Sequence, residues 1–156
     1  MTDLHVVLVE PEIHWNTGNA GRTCLAAGAT LHLVEPLGFS LNERQVKRAG
    51  LDYWEHVELR VWPSWSAFET QLPGLGEPYF FSTRGTRLYW DAPLGHDRDV
   101  VLIFGPETRG LPEEIQDKYH DRLVVLPMHS PRVRSLNLST SVAVALYEVL
   151  RQRRAV

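Results

Sequence analysis

Arginine, asparagine and serine are the residues of this chain whose placement could do chemistry. The densest group lies in the last quarter. Leu123 to Leu126 is an apolar run that reads as a buried strand. A polar loop follows, holding Pro127, Met128, His129, Arg132, Arg134 and Ser135. It opens into a helix of small and apolar residues, which Asn137 or Ser139 can cap by accepting from the orphan N–H groups of the first turn. Ser139, Ser141, Ala143 and Ala145 would let another backbone approach closely. Free backbone donors, two guanidinium groups and a small-residue face suit recognition of phosphate and ribose, because guanidinium forks match phosphate geometry.

Two further loops carry similar chemistry. Gly105-Pro-Glu-Thr-Arg-Gly110 leaves an apolar strand and enters a helix that Pro112 can start. It is no P-loop, lacking a following Gly-Lys-Ser/Thr, and it lacks the three-glycine dinucleotide spacing. Asn16-Thr-Gly-Asn19 follows the first strand and reads, taken alone, as an asparagine-glycine turn. Singly, each loop is an ordinary tight connection; together, at one end of one sheet, they favour a site. Other chemistries find no support. The histidines are scattered without metal-ligand spacing, no Gly-x-Ser-x-Gly elbow occurs, and Cys24 reads as a buried apolar filler.

The elements that must position these loops alternate strand and helix. Strands are expected at Leu4–Val9, Thr30–Val34, Val57–Trp62, Tyr79–Ser82, Asp99–Phe104 and Leu123–Leu126. Helices are expected at Thr23–Ala27, Glu43–Ala49 (capped by Asn42), Ser64–Leu72, Pro112–Lys118 and after Asn137. Pro73 to Gly76 reads as a turn and Thr83 to Arg87 as a polar loop. This alternation implies a parallel α/β sheet, with ligands outside the carboxyl ends of its strands.

The chain has 156 residues and 44% hydrophobic content, which suits one domain, 1–156, with no added RNA-binding domain. No apolar run approaches a membrane span, and the first residues lack a signal-peptide core. A single cysteine excludes an internal disulfide and fits the cytoplasm. The net charge of -3 argues against a generally basic nucleic-acid binder. Cationic residues nonetheless cluster at Arg44/Lys47/Arg48, Arg84/Arg87, Arg132/Arg134 and Arg151/Arg153/Arg154. The first and last of these are expected to attract RNA.

Asn16-x-Gly18-Asn19-x-x-Arg22, Phe104-Gly-Pro-Glu-x-x-Gly-Leu111 and Pro127-Met128 with Arg134-Ser-Leu-Asn-Leu-Ser139 resemble the three motifs of SPOUT-type RNA 2′-O-ribose methyltransferases. With Arg48-Ala-Gly-Leu-Asp-Tyr53, the chain is similar to the tRNA (cytidine/uridine-34-2′-O)-methyltransferase subgroup, which modifies the wobble ribose of leucine tRNAs. The resemblance spans nearly the whole chain. It implies an α/β parallel sheet with a deep trefoil knot near the C-terminus, which general topology rules would not predict. It also implies a homodimer, S-adenosylmethionine as cofactor, the anticodon stem-loop of leucine tRNAs as partner, and neither metal nor membrane.

Carried over by position, Phe81, Gly105, Leu126 and Ser135 would line the cofactor pocket, with Thr83, Glu107, Met128 and Leu136 nearby. Arg22 and Asn137 would be catalytic. Asn16, Asn19, Arg134 and Tyr147 would face the substrate. Asn16 and Glu107 also read as holders of loop geometry, and Tyr147 as a core aromatic. A guanidinium stays protonated, so Arg22 would stabilise charge on the attacking hydroxyl rather than act as a simple base. His14-Trp15 and Phe81 depart from residues common in relatives at those positions. Trp15 could stack on a base or cover a dimer edge, and Phe81 implies an adenine pocket shaped differently from that of relatives. The rival readings are a related enzyme acting on another tRNA or rRNA ribose, and a non-catalytic nucleotide- or RNA-binding module.

Overall fold

Six consecutive apolar or buried residues, Leu4–Val9, form the central strand β1. The computed structural model describes residues 3–41, 51–95 and 98–154. In these, β1 is followed by helix α1 (His14–Ala27), β2 (Thr30–Val34), β3 (Leu59–Trp62), α2 (Trp65–Leu75), β4 (Glu77–Phe81), β5 (Arg87–Leu88), β6 (Val100–Phe104), α3 (Glu113–Lys118), β7 (Leu123–Val125) and α4 (Leu138–Arg153). The strands form one seven-stranded sheet in the order β3-β2-β1-β6-β4-β7-β5, and the pairings are parallel. A parallel sheet must be covered on both faces, and here it is. Leu4, Val6 and Leu8 point into one core with Ala20 and Cys24 of α1 and Val142, Leu146 and Val149 of α4. Val7 and Val9 point into the other with Phe68 and Leu72 of α2 and Ile115 of α3.

This order places the carboxyl ends of β1, β6, β4 and β7 side by side. The connections after them are therefore neighbours in space although distant in sequence. The last strand enters between β4 and β5, and Ser82 N donates to the Val124 carbonyl at 3.0 Å. Gly85 lies so near that a Cβ there would stand 2.8 Å from the Val124 carbonyl carbon.

The alternating layout matches the expected one, with local differences. Helix α1 begins at His14, so Asn16-Thr-Gly-Asn19 is helix interior and not a turn. Glycine weakens a helix by about 1 kcal/mol relative to alanine, which hid this start. Packing explains Gly21: a Cβ there would meet the Trp54 ring at 2.4 Å. Gly28 ends the helix at φ 76°. Helix α2 runs through Pro73 and Gly74 to Leu75 instead of stopping at Leu72, with Ser64 Oγ capping Ala67 N at 3.1 Å. The segment Leu51–His56 is a 3-10 turn, so β3 starts at Leu59. A short strand, β5, occupies the end of what reads as a polar loop. The expected helix 43–49, its Asn42 cap and the Arg44/Lys47/Arg48 cluster lie outside the described residues.

Candidate functional site

The loops after β4, β6 and β7 enclose a cavity of about 390 Å³. Strand β6 supplies Phe104 and the turn that follows. Gly110 closes that turn at φ 68°, with Gly110 N donating to the Pro106 carbonyl at 2.9 Å. Gly105 is held so close to the returning chain that a Cβ would stand 2.3 Å from Leu111 N. Strand β4 ends in Phe81, whose ring stacks on Phe104 with centroids 4.6 Å apart. The chain after β7 supplies Leu126, Met128, Ser135 and Leu136. Phe81, Thr83, Gly105, Glu107, Leu126, Met128, Ser135 and Leu136 are thus all brought to one cavity, with Arg134 at the same wall.

The β1–α1 connection is tied to this cavity by a reciprocal pair of carboxylates. Glu107 accepts from Glu12 N and Ile13 N, each at 2.8 Å, and from Asn16 Nδ2 at 3.1 Å. Glu12 in turn accepts from Thr108 N and Thr108 Oγ1, both at 2.8 Å. The backbone and hydroxyl donors of Thr108 hold the Glu12 carboxyl below its ordinary range. Asn16 Oδ1 accepts from Asn137 Nδ2 at 3.1 Å. Asn137 Oδ1 caps α4 by accepting from Ser139 N at 3.0 Å and Ser139 Oγ at 2.7 Å.

Asn16 and Glu107 show the loop-holding contacts expected of them as the alternative to a ligand contact. Asn16 is only 2% exposed, with Nδ2 on Glu107 and Oδ1 on Asn137, whereas Asn137 is exposed and keeps one Nδ2 hydrogen spare. Glu107 lines the cavity, but its carboxylate is occupied by the loop before α1; its polar atoms hold loop geometry. Tyr147, which could have been a core aromatic, is 51% exposed on α4.

The structure does not bring Arg22 into the cavity of its own chain. Trp15, Asn19 and Arg22 are exposed at spacings that share one face of α1, and the Arg22 guanidinium lies 5.5 Å from the Tyr53 ring centroid. The last arginine cluster is largely engaged within the chain. Arg151 pairs with Glu148 at 2.8 Å, and Arg153 donates to the Arg98 carbonyl at 3.1 Å. Cys24 is fully buried, and burial pushes its thiol up to about 12, so it is no nucleophile. Among the described residues, no three His, Cys, Asp or Glu side chains converge on a metal-sized site, and no helix is long and apolar enough to cross a membrane.

Sequence reasoning passed over Ser82, Thr108 and Gln116, which also line the cavity. Gln116 sits in an ordinary helical pattern, and only its burial, at 8% exposure, marks it out.

A parallel sheet with a ligand-sized cavity at the carboxyl ends of adjacent strands is the arrangement of a nucleotide-binding α/β enzyme. Within that class the chain belongs to the SpoU rRNA methylase family, whose model matches residues 3–147. It is 48% identical over 148 residues to the tRNA (cytidine(34)-2'-O)-methyltransferase of Methylovorus glucosotrophus, covering 94% of each chain. It is 45% identical over 154 residues to the enzyme of the same name from Burkholderia ambifaria, covering 95% of this chain and 94% of the relative. A solved structure concerned with the 2-OH methylation of C/U34 on tRNA matches with a TM-score of 0.89 at 45% identity, covering 99% of both chains.

Proposed function

We propose that the protein methylates the ribose 2′-hydroxyl of the wobble nucleotide, cytidine or uridine 34, of leucine tRNAs in the cytoplasm, using S-adenosylmethionine. The observation that carries this reading is the single cavity formed by three loops, at the carboxyl edge of a fold shared along its whole length with wobble-ribose methyltransferases. The cavity suits the cofactor. Its volume lies in the small-molecule range. Phe81, Leu126, Met128 and Leu136 offer apolar walls for an adenosine, and Gly105 leaves room where a side chain would fill the turn. When bound, the cofactor supplies an electrophilic methyl on a sulfonium.

The chain's residues then orient and stabilise. Asn137, fixed by Asn16 and by its own cap, presents a rigid helix start beside the cavity and holds the ribose. Arg22 remains a cation, since a guanidinium does not deprotonate in proteins. It binds a neighbouring phosphate and stabilises negative charge on the 2′-oxygen as the hydroxyl proton passes to solvent.

Because Arg22 stands outside its own chain's cavity, we infer a homodimer. The exposed face of α1, with Trp15, Asn19 and Arg22, packs against the partner, and Arg22 of the partner subunit completes each site; Ala145, expected on a small-residue face of α4, is instead buried in the chain's own core. The topology proposed for the C-terminal region is a deep trefoil knot. Its support is the passage of β7 between β4 and β5, with Gly85 against the Val124 backbone.

The test is methyl transfer from labelled S-adenosylmethionine to tRNA from a strain lacking the wobble ribose methyl, mapped by nuclease digestion and mass spectrometry. A 2′-O-methyl at nucleotide 34 of leucine tRNAs is expected. A methyl at another ribose would discard the wobble assignment, and absence of any transfer with cofactor bound would favour a binding module.

A further inference from the structure

Gln116 is a buried amide whose two ends join two different walls of the cavity. Its Nε2 donates to the Leu111 carbonyl at 2.7 Å, where the turn from β6 ends. Its Oε1 accepts from Ser82 Oγ at 2.5 Å, where β4 ends. The orientation is fixed by the partners, because a carbonyl can only accept, so the nitrogen must face Leu111 and the oxygen the hydroxyl. Ser82 is committed in turn: its Oγ accepts from Arg84 N at 3.1 Å, and its backbone N donates to the Val124 carbonyl of β7 at 3.0 Å. One side chain on the short helix α3 therefore links the turns after β4 and β6, with β7 joined through Ser82.

We propose that Gln116, acting with Ser82, is a positioning residue that sets the width of the cofactor cavity. The inference rests on the reading of that cavity as the S-adenosylmethionine site. Phe81 immediately precedes Ser82, and Gly105 packs against Leu111, where a Cβ would stand 2.3 Å from Leu111 N, so both cavity residues adjoin the segments that the amide joins. Without the amide, the buried Leu111 carbonyl loses its donor and the half-buried Ser82 hydroxyl keeps only Arg84 N, and the link between the two turns is gone. A buried polar group left unpaired is costly, so the walls would relax toward solvent. The effect falls on cofactor affinity. Asn137 is tied to the same β6 turn through Asn16 and Glu107, but Glu107 is also anchored by Glu12 N and Ile13 N, so the effect on the chemical step at saturating cofactor is the smaller one.

The experiment compares Gln116→Leu, Ser82→Ala and the double variant with the wild-type chain. Affinity for S-adenosylhomocysteine is read by calorimetry, and KM for S-adenosylmethionine and kcat by methyl transfer. Gln116→Leu is expected to weaken binding by roughly tenfold and raise KM in parallel, with kcat held within about twofold. Ser82→Ala is expected to weaken binding less, and the double variant to lose less than the sum of the two, since both remove the Ser82–Gln116 hydrogen bond while Ser82→Ala alone also removes the one from Arg84 N. Unchanged affinity in Gln116→Leu, or a loss confined to kcat, overturns the proposal. If Gln116→Leu does not fold, Ser82→Ala decides, and unchanged affinity there overturns it equally. A wild-type chain that fails to bind S-adenosylhomocysteine would overturn the cofactor reading and this inference together; a wild-type chain that binds it beside unaffected variants overturns this inference alone.

Discussion

Asn137 Nδ2 donates to Asn16 Oδ1 at 3.1 Å, joining residues 121 positions apart. One asparagine sits in the first turn of α1 and the other caps α4, so this bond fixes the two helices against each other where the candidate site opens. Each partner has a second duty. Asn16 also donates to Glu107, and Asn137 also caps its helix. The chain from Glu107 through Asn16 to Asn137 thus transmits the position of the β6 turn to the start of α4.

Asn137 therefore separates two roles that one substitution would confuse. Asn137→Ala should destabilise the fold by about 1 to 2 kcal/mol through loss of the cap. Asn137→Ser keeps a capping oxygen and should recover most of that stability. Neither reaches Asn16, so both should lose most methyl transfer. Thermal unfolding and transfer assays on the pair check this; an active Asn137→Ser would remove Asn137 from the ribose site.

Arg22 lies away from the cavity of its own chain, and its loss should spare the cofactor. Arg22→Ala is expected to lower transfer by roughly a hundredfold or more, the magnitude of losing one preorganised charge-stabilising donor. Affinity for S-adenosylhomocysteine should be unchanged. Mixing Arg22→Ala with an Asn137→Ala chain should restore some activity if the site is shared between subunits, because one of the two sites then holds both residues intact.

Gly105 predicts the opposite separation. Its Cβ would collide with the Leu111 backbone, so Gly105→Ala must displace the turn that forms one wall. Cofactor affinity should fall by roughly tenfold or more, in keeping with overpacking costs of about 1 to 3 kcal/mol. Calorimetry reads this directly, and a variant binding as tightly as wild type would show that the turn does not contact the ligand.

The far end of the sheet carries a pH-dependent element of stability. His32 is fully buried and accepts at Nδ1 from Trp62 Nε1 at 3.0 Å, while its Nε2 lies 3.0 Å from His5 Nδ1. Burial pushes His32 down to about 3, with His5 and Arg60 adding to the effect. Burial also lowers His5, against the opposing pull of Asp3. Both rings are therefore neutral in the folded chain, and the stability they contribute is complete above the ordinary value of 6.5. It is lost as pH falls below that, because the unfolded chain takes up the protons, at up to about 1.4 kcal/mol per pH unit for a fully shifted group. Denaturant midpoints between pH 7 and pH 5 should fall steeply in the wild type and less steeply in His32→Leu.

The strands were readable because buried parallel strands are uninterrupted apolar runs, and Leu4–Val9 and Val100–Phe104 have no other reading. The eight residues expected around the cofactor share a cavity because each follows a strand end, and strand ends were the legible feature. The start of α1 was not legible. Asn16, Gly18 and Gly21 are poor helix formers; the Trp54 ring lies where a Gly21 side chain would be, and Asn16 is held by Glu107 and Asn137. Strand β5 is too short to show alternation, and its pairing partner comes from the chain's last quarter. Asn16 was marked by its motif but its partners were not, and Gln116 carries no local signal at all. Their roles exist only once distant loops are adjacent, and a residue type cannot announce a partner that the fold alone supplies.

The slot for β7 between β4 and β5 has a consequence for how the molecule comes into being. During synthesis, the N-terminal part of the chain leaves the ribosome first. β4 and β5 then emerge separated by a few residues, long before the strand that must lie between them. β4 and β5 are held apart in the finished fold by β7 alone, which pairs with both at Val124. Leu126 to Asn137, which wall the cavity and cap the last helix, come with it. An unfinished chain therefore carries neither a closed pocket nor the Asn16–Asn137 bond. Both features depend on the residues after β7.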